Sequence, residues 1–233
     1  MQKPQYSSAL IVGTGPGLGA SLARLFARHG LAVALAARQV DKLADLAKQT
    51  GAAVHACNAA DEADVARLFA ALDAAGRTPD VVVYNASSRV RGALVDLPPD
   101  EVRRAVEISA FGGFLVSQQA ARRMLPTGHG AIFLTGATAG VKGFPLSASF
   151  AMGKFALRGL AQSMARELSP KGIHVAHFVI DGGIRSTARP VPDNAPDSLL
   201  DPDAIAETYW ATLQQHRSAW SWEVEVRPWV EKF

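Results

Sequence analysis

The stretch ALIVGTGPGLGA, residues 9–20, decides the fold. An apolar run of strand length ends in a glycine-rich turn, and helical spacing of apolar residues follows directly. Such a turn lets the backbone approach a diphosphate at the positive N-terminus of the next helix. Gly13, Gly17 and Gly19 fit a GxxxGxG spacing, and an overlapping GxGxxA spacing starts at Gly15. Both spacings predict a dinucleotide-binding turn, and a tight turn without a ligand is the alternative.

The rest of the chain repeats this alternation of strand and helix. Apolar runs of strand length lie at 9–12, 32–37, 52–57, 81–84, 131–134 and 174–180, and helical spacing lies at 18–29, 40–48, 62–75, 99–124 and 149–168. Continuous apolar strands imply a sheet covered on both faces, and the alternation implies parallel crossovers. Residues 220–226 alternate apolar and polar side chains, which predicts a last strand leading into the tail at 220–233.

The predicted fold class is therefore α/β. We expect residues 1–233 to form a single domain, a doubly wound Rossmann fold with a mostly parallel seven-stranded sheet between two helical layers. A long irregular connection rich in proline lies at 181–202, where it is placed to cover a substrate.

Composition and charge exclude several classes of function. The chain is 48% hydrophobic and 19% charged, as in ordinary soluble globular proteins. The formal charge of +3 comes from scattered Lys and Arg, so we expect no nucleic acid and no membrane as partner. The single cysteine, Cys57, excludes an intrachain disulfide, which favours the reducing cytoplasm. Because the six histidines are dispersed, we expect no metal site.

The end of the second strand, LAARQ at residues 35–39, indicates which dinucleotide the turn would bind. An acidic side chain there would bond the 2′-hydroxyl of the adenosine ribose, whereas a basic one would accept a 2′-phosphate. Ala36 and Ala37 carry no carboxylate, and Arg38 carries a guanidinium suited to phosphate. The pattern favours NADP(H), with NAD(H) possible, and a solvated arginine at a strand end is the alternative.

Four landmarks together resemble the short-chain dehydrogenase/reductase superfamily over roughly residues 9–226. They are the glycine turn, YNAS at 84–87, the helical pair Phe150 and Lys154 in SFAMGK, and DGGI at 181–184. The resemblance implies cofactor contacts at the following positions: Gly13, Thr14, Gly15, Gly17, Leu18, Gly19, Arg38, Asn58, Ala59, Asn85, Ala86, Lys154, Gly182, Ile184 and Ser186. It also implies that Lys154 bonds the nicotinamide ribose and that the protein is a homodimer or homotetramer.

The catalytic tetrad implied by the resemblance is largely substituted. The family's asparagine falls at Ser109, its serine at Ala137 and its tyrosine at Phe150, and only Lys154 matches. A phenylalanine carries no hydroxyl, so it cannot pass a proton to or from the substrate oxygen as hydride moves.

A replacement acid would have to lie near the nicotinamide. Asp181, after the sixth strand, is the first candidate, because a partly buried carboxyl group can donate a proton; a turn-forming aspartate is the alternative. Tyr84 and Thr138 are further candidates. Arg89 and Arg91, in SSRVRG, could hold an acidic group of the substrate or lie in a solvated loop.

Two functions remain open from the sequence. The first is a divergent NADP(H)-dependent oxidoreductase acting on a small carbonyl or alcohol, with Lys154, Asp181 and Ser109 as candidate catalytic residues. The second is a catalytically silent dinucleotide-binding protein that acts as a sensor, a scaffold or the partner of an active paralogue.

Overall fold

A computed structural model describes residues 5–231, so the two final residues of the predicted tail and the first four residues lie outside it. Within these described residues, seven strands form one sheet: β1 Ser8–Val12, β2 Ala32–Ala37, β3 Ala53–Ala56, β4 Val81–Tyr84, β5 Gly130–Thr135, β6 Ile173–Ile180 and β7 Glu223–Val226. Their order in the sheet is β3-β2-β1-β4-β5-β6-β7, and each neighbouring pair is parallel. The predicted seven-stranded, doubly wound α/β fold is thereby confirmed.

The strand order reverses between β1 and β4. From β1 the chain winds outward to β2 and β3, and then returns to β4 on the other side of β1. Loops that leave the carboxyl ends of β1 and β4 therefore diverge and open a crevice above the sheet. The glycine turn follows β1 and the YNAS segment follows β4, so both lie at this crevice.

In the part of the chain that the structure describes, seven α-helices flank the sheet: α1 Leu18–Arg28, α2 Ala44–Thr50, α3 Glu62–Ala74, α4 Pro99–Val106, α5 Gly112–Met124, α6 Ala148–Leu168 and α7 Pro202–Leu213. Buried side chains of α1, α2 and α7 form the core on one face, and those of α3, α5 and α6 form the core on the other. Each face excludes water, which explains why the strands are continuous apolar runs rather than alternating ones.

The predicted helix at 99–124 is interrupted by a π-helical turn, Glu107–Phe111, between α4 and α5. A π-turn inserts one extra residue and changes the direction in which neighbouring side chains point. Ser109, at its centre, is completely buried. Apolar periodicity alone did not predict this interruption, because the pattern on both sides of it stays helical.

Helix α7 was not predicted from the sequence. It begins at Pro202, and a proline at the first position of a helix is favourable because its missing N–H needs no partner there. Asp201 precedes it and its carboxylate accepts a hydrogen bond from the backbone of Asp203 at 2.9 Å. The proline-rich connection therefore ends in a capped helix whose Tyr209 is fully buried under the sheet.

Among residues 5–231, no helix combines the length and the apolarity needed to cross a membrane.

Candidate active site in the crevice between β1 and β4

The glycine turn after β1 is held tightly against its neighbours. Gly13 has a φ of +84°, and a Cβ atom there would lie 2.3 Å from the backbone nitrogen of Ala86. The backbone N–H groups of Gly13 and Thr14 both donate to the carbonyl of Ala36, and the Thr14 hydroxyl donates to the carbonyl of Ile11 at 2.9 Å. Only glycine fits the first position of the turn, because the backbone that follows β4 approaches it so closely.

The next two glycines of the turn face open space. A Cβ atom added at Gly15 or Gly17 would meet no atom within 4 Å, and α1 begins at Leu18. The side of the turn that looks into the crevice is therefore free of side chains. A helix N-terminus with that clearance is suited to an anion such as a diphosphate.

A cleft of about 730 Å³ extends from the glycine turn across the carboxyl ends of β2 and β3. Its walls include many of the residues predicted for cofactor binding: Gly13, Thr14, Gly15, Arg38, Asn58, Ala59, Asn85 and Ala86. The Asn85 amide donates to the carbonyl of Gly13 at 3.1 Å, so the ends of β1 and β4 are joined at the floor of the cleft. The Asn58 side chain accepts a hydrogen bond from the backbone of Ala60 at 3.3 Å.

Two exposed cations, Arg38 and Lys42, line the cleft beside β2. Arg38 directly follows β2, and Lys42 lies in the short helical turn Asp41–Leu43. Arg38 was predicted from the sequence and Lys42 was not, because Arg38 lies outside that turn and no helical spacing relates the two side chains.

The connection at 181–202 folds back over the start of α1. A second cleft, of about 420 Å³, lies between them, and its walls are Gly13, Gly15, Gly17, Leu18, Gly19, Asn85, Ile184, Arg185, Ser186, Ala188 and Arg189. Arg185 forms an ion pair with Asp201 at 2.5 Å, and Leu200 donates to the carbonyl of Gly183 at 2.8 Å. Gly182 packs against Pro228 instead of reaching the cleft wall.

Lys154 is buried on α6, with only 2% of its surface exposed. Its ammonium donates a hydrogen bond to the carbonyl of Thr135, at the end of β5, over 2.7 Å. Burial lowers the pKa of Lys154 to about 8, because the charged form loses its hydration. The Lys154 nitrogen also lies 5.7 Å from the centre of the Phe150 ring.

The family model described as enoyl-(acyl carrier protein) reductase matches residues 13–202 of the chain. The chain belongs to the short-chain dehydrogenase/reductase superfamily. A curated member, the trans-4-hydroxycyclohexanecarboxylate dehydrogenase of Sinomonas cyclohexanicum, is 35% identical over 179 residues, which cover 72% of this chain and 68% of that enzyme.

Solved structures of short-chain dehydrogenases share the fold over almost the whole chain. The short-chain dehydrogenase from Rhodopseudomonas palustris has 35% sequence identity and a TM-score of 0.82, covering 97% of this chain and 100% of that one. A metagenomic short-chain oxidoreductase solved in complex with NADP has 26% identity and a TM-score of 0.83, covering 95% and 97% of the two chains.

The four positions at which the resemblance places the catalytic tetrad lie close to one another in the structure. Ala137 is in extended backbone just after β5. Phe150 is in the first turn of α6 and Lys154 follows one turn later. Ser109, in the π-turn, lies beside α6, because a Cβ atom at Gly153 would fall 2.6 Å from the Cβ of Ser109.

The hydroxyl groups considered as replacement donors are engaged elsewhere. Tyr84 is fully buried, its hydroxyl donates to the carbonyl of Ile108, and burial raises its pKa. The Thr138 hydroxyl donates to the carbonyl of Ile180 at 3.4 Å. Neither group therefore has a free proton directed at the crevice.

Asp181 follows β6 and is 6% exposed. Its carboxylate lies 3.7 Å from the guanidinium of Arg227, which follows β7. The catalytic role of Asp181 stays a prediction. Protonation of its carboxylate would remove the negative charge that faces the Arg227 guanidinium.

A buried polar cluster lies below Lys154 on the same face of the sheet. His177 is fully buried, and its Nδ1 lies 3.1 Å from the carboxylate of Glu223, which also accepts two hydrogen bonds from Arg158. Desolvation lowers the pKa of His177 to about 4, so its ring is neutral at pH 7. Within residues 5–231, no group of three or more His, Cys, Asp and Glu side chains could hold a metal ion.

Proposed function

We propose that the chain is an NADP(H)-dependent oxidoreductase that acts on a small carbonyl or alcohol without the superfamily's tyrosine acid. The observation that supports this proposal is the cleft of about 730 Å³. It extends from the glycine turn, whose crevice side is free of side chains, to the cations Arg38 and Lys42. The NADP complex of the related metagenomic oxidoreductase supports the choice of cofactor.

The residues present fit a dinucleotide with a 2′-phosphate. Gly15 and Gly17 leave the space that a diphosphate needs at the start of α1. Arg38 and Lys42 would hold the 2′-phosphate, with Asn58 and Ala59 beside the adenine. When bound, the cofactor supplies or accepts the hydride.

The protein's own residues would orient the reactants and determine which group supplies the proton. Lys154 holds a proton on its nitrogen at neutral pH, in a site from which water is excluded. Phe150 contributes no proton, so the proton comes from water, from Asp181 or from a group of the substrate. Loss of a positioned acid lowers the rate by a factor on the order of 10² to 10⁴, whereas the positioning of the two reactants is retained. Turnover is therefore expected to be slow.

Cofactor choice is tested by fluorescence titration of the protein with NADPH and NADH. Wild-type protein should bind NADPH more tightly, and Arg38→Ala together with Lys42→Ala should weaken NADPH binding by about 10- to 100-fold, because two charge-assisted contacts are lost. The same change should leave NADH binding within about threefold. Arg28→Gln, at the far end of α1, is the matched control and should change neither. Equal binding of both cofactors would contradict the assignment of NADP(H).

Turnover is tested by the loss of NADPH absorbance with a panel of carbonyl compounds. The panel should include 4-oxocyclohexanecarboxylate, because the relative from Sinomonas cyclohexanicum is a dehydrogenase of the corresponding hydroxy acid. If Asp181→Asn abolishes turnover and leaves NADPH binding unchanged, Asp181 is the replacement acid. If turnover survives, the proton comes from water or the substrate.

A catalytically silent dinucleotide-binding protein is the second candidate function. It is favoured by the replacement of the tetrad's serine and tyrosine with Ala137 and Phe150, and by the engaged hydroxyls of Tyr84 and Thr138. Tight NADPH binding with no turnover across a broad panel would support this function over the first.

We further propose that the protein works in the cytoplasm as a homodimer or homotetramer, and that the connection at 181–202 closes over the substrate. The long connection already covers the start of α1, and exposed apolar side chains on α5 and α6 offer a surface for a second copy.

A further inference from the structure

The loop that follows β4 is clamped at two places by buried serine hydroxyls. The Ser109 hydroxyl accepts a hydrogen bond from the N–H of Ser88 at 3.1 Å and donates to the carbonyl of the same residue at 3.2 Å. The Ser149 hydroxyl makes the same pair of bonds with Val90, at 3.0 and 2.8 Å. Arg89 lies between the two clamped residues, so its backbone is fixed on both sides.

The Arg89 side chain lies against the ring that replaces the superfamily's tyrosine. Its guanidinium carbon is 5.4 Å from the centre of the Phe150 ring, within the range of a cation–π contact. The side chain is otherwise exposed. None of the ion pairs between residues 5 and 231 includes Arg89, so its donors are not committed to a carboxylate of the protein.

The serine contacts distinguish Arg89 from Arg91, whereas the sequence offered both arginines equally as candidates for an acidic group of the substrate. Arg91 is also exposed, but it lies beyond Val90, the last residue that a serine clamps. The two serines that fix Arg89 come from the tetrad region, because Ser109 occupies the asparagine position and Ser149 immediately precedes Phe150. Arg89 is therefore built into the site, and Arg91 is not.

We propose that Arg89 binds an anionic group of the substrate, a carboxylate or a phosphate ester, beside Phe150. This inference rests on the proposed function only in taking the surroundings of Phe150 as the substrate site. A guanidinium presents paired donors that match a carboxylate or a phosphate, and the fixed backbone on both sides of Arg89 limits the conformational freedom that is lost when it binds one. The substrate class is thus a carbonyl compound or alcohol that carries an acid group.

The test compares ligands that differ in charge, in protein saturated with NADP⁺. Calorimetry measures the binding of 4-oxocyclohexanecarboxylate, of its uncharged methyl ester and of cyclohexyl phosphate to wild type, Arg89→Gln and Arg91→Gln. Wild type should bind the acid or the phosphate about 10- to 100-fold more tightly than the ester. Arg89→Gln should reduce that preference to about twofold or less, while Arg91→Gln keeps it. Both variants change exposed side chains, and their thermal unfolding shows whether they stay folded.

The results distinguish a carboxylate from a phosphate as the bound group, and they distinguish a failure of the Arg89 inference from a failure of the proposed function. Preference for the acid alone, or for the phosphate alone, identifies the group that Arg89 takes. Equal binding of acid, phosphate and ester, no binding of either anion, or an unchanged preference in Arg89→Gln would overturn the inference. If NADP⁺ itself fails to bind, the same ligands are titrated into protein without cofactor. Tighter binding of an anion that is lost in Arg89→Gln would then support the anion site, while the failure of NADP⁺ to bind would contradict the proposed function.

Discussion

Gly13 and Gly15 belong to the same turn but are required for different reasons. Gly13 has a positive φ and touches the backbone of Ala86, so it is a requirement of the fold. A Cβ atom added at Gly15 would meet no atom within 4 Å, so the fold does not require glycine there, and we propose that a ligand in the cleft does. A motif that reads as one signal in the sequence therefore divides into a packing residue and a ligand-facing residue.

Alanine substitutions should separate these two roles. Gly13→Ala should lower the free energy of unfolding by about 2–4 kcal/mol, because it adds both left-handed strain and a clash. Gly15→Ala should change it by less than about 0.5 kcal/mol while weakening NADPH binding at least about tenfold, because the new methyl group occupies the path of the diphosphate. Urea denaturation and fluorescence titration measure the two effects. Unchanged NADPH binding in Gly15→Ala would argue against a diphosphate in the turn.

Phe150 and Ala137 carry no hydroxyl, and we propose that they stand where the superfamily has its proton-transferring tyrosine and serine. Lys154 retains its position one turn from Phe150, with a pKa lowered to about 8. A hydroxyl restored at position 150 would lie beside this ammonium, which favours its ionised form.

The double change Phe150→Tyr with Ala137→Ser should therefore raise kcat for carbonyl reduction by a factor on the order of 10². The decrease in NADPH absorbance measures it, with Phe150→Leu as a control that alters packing and adds no hydroxyl. If the double variant binds NADPH normally and is no faster than wild type, the surrounding geometry, and not the missing groups, limits the rate.

At the scale of elements, β6 combines an apolar strand with two buried histidines on opposite faces. His174 stacks on Trp220 with ring centres 4.7 Å apart, and His177 faces Glu223. Desolvation lowers the pKa of each to about 4, from 6.5 in the unfolded chain. The folded protein therefore favours the neutral form of both rings.

This burial makes stability depend on pH in a defined window. Below about pH 6.5 the two histidines bind protons in the unfolded chain, whereas in the folded protein they stay neutral down to about pH 4. The free energy of unfolding therefore falls as the pH decreases through this range. The expected loss is a few kcal/mol between pH 7.5 and pH 4.5, measured by urea denaturation. His177→Leu should reduce the loss, whereas His29→Gln, at an exposed site after α1, should not. If the free energy of unfolding of His177→Leu falls with decreasing pH as steeply as that of wild type, His177 is not a cause of the pH dependence.

At the scale of the whole molecule, α5 and α6 leave large apolar side chains in solvent. Phe114 is 41% exposed, Met152 54% and Phe155 44%, and the Phe111 ring stacks on that of Phe114. These two helices pack on each other and on the sheet, and among residues 5–231 no further layer covers their outer apolar side chains. A second copy of the chain is the partner that we propose for this surface.

Phe114→Glu together with Phe155→Glu should therefore shift the protein to monomers in size-exclusion chromatography with light scattering. Charged side chains in a dimer core would lose their hydration without a partner. Leu94→Glu, at an exposed site in the loop after β4, is the control and should leave the assembly unchanged. A wild-type protein that is already monomeric at micromolar concentration would contradict the proposed oligomer.

The sequence by itself determined the alternation of strands and helices, the glycine turn after the first strand and the helical spacing of Phe150 and Lys154. Each of these signals lies within a short window, where local periodicity and turn chemistry decide the conformation. Only the tertiary structure decided that Tyr84 is engaged in the core, and that Ser109 and Ser149 hold the backbone on both sides of Arg89, whose guanidinium lies over the Phe150 ring. Those facts depend on contacts between distant parts of the chain, such as Ser149 with Val90, 59 positions apart. Chain folding creates such contacts, and no local pattern encodes them.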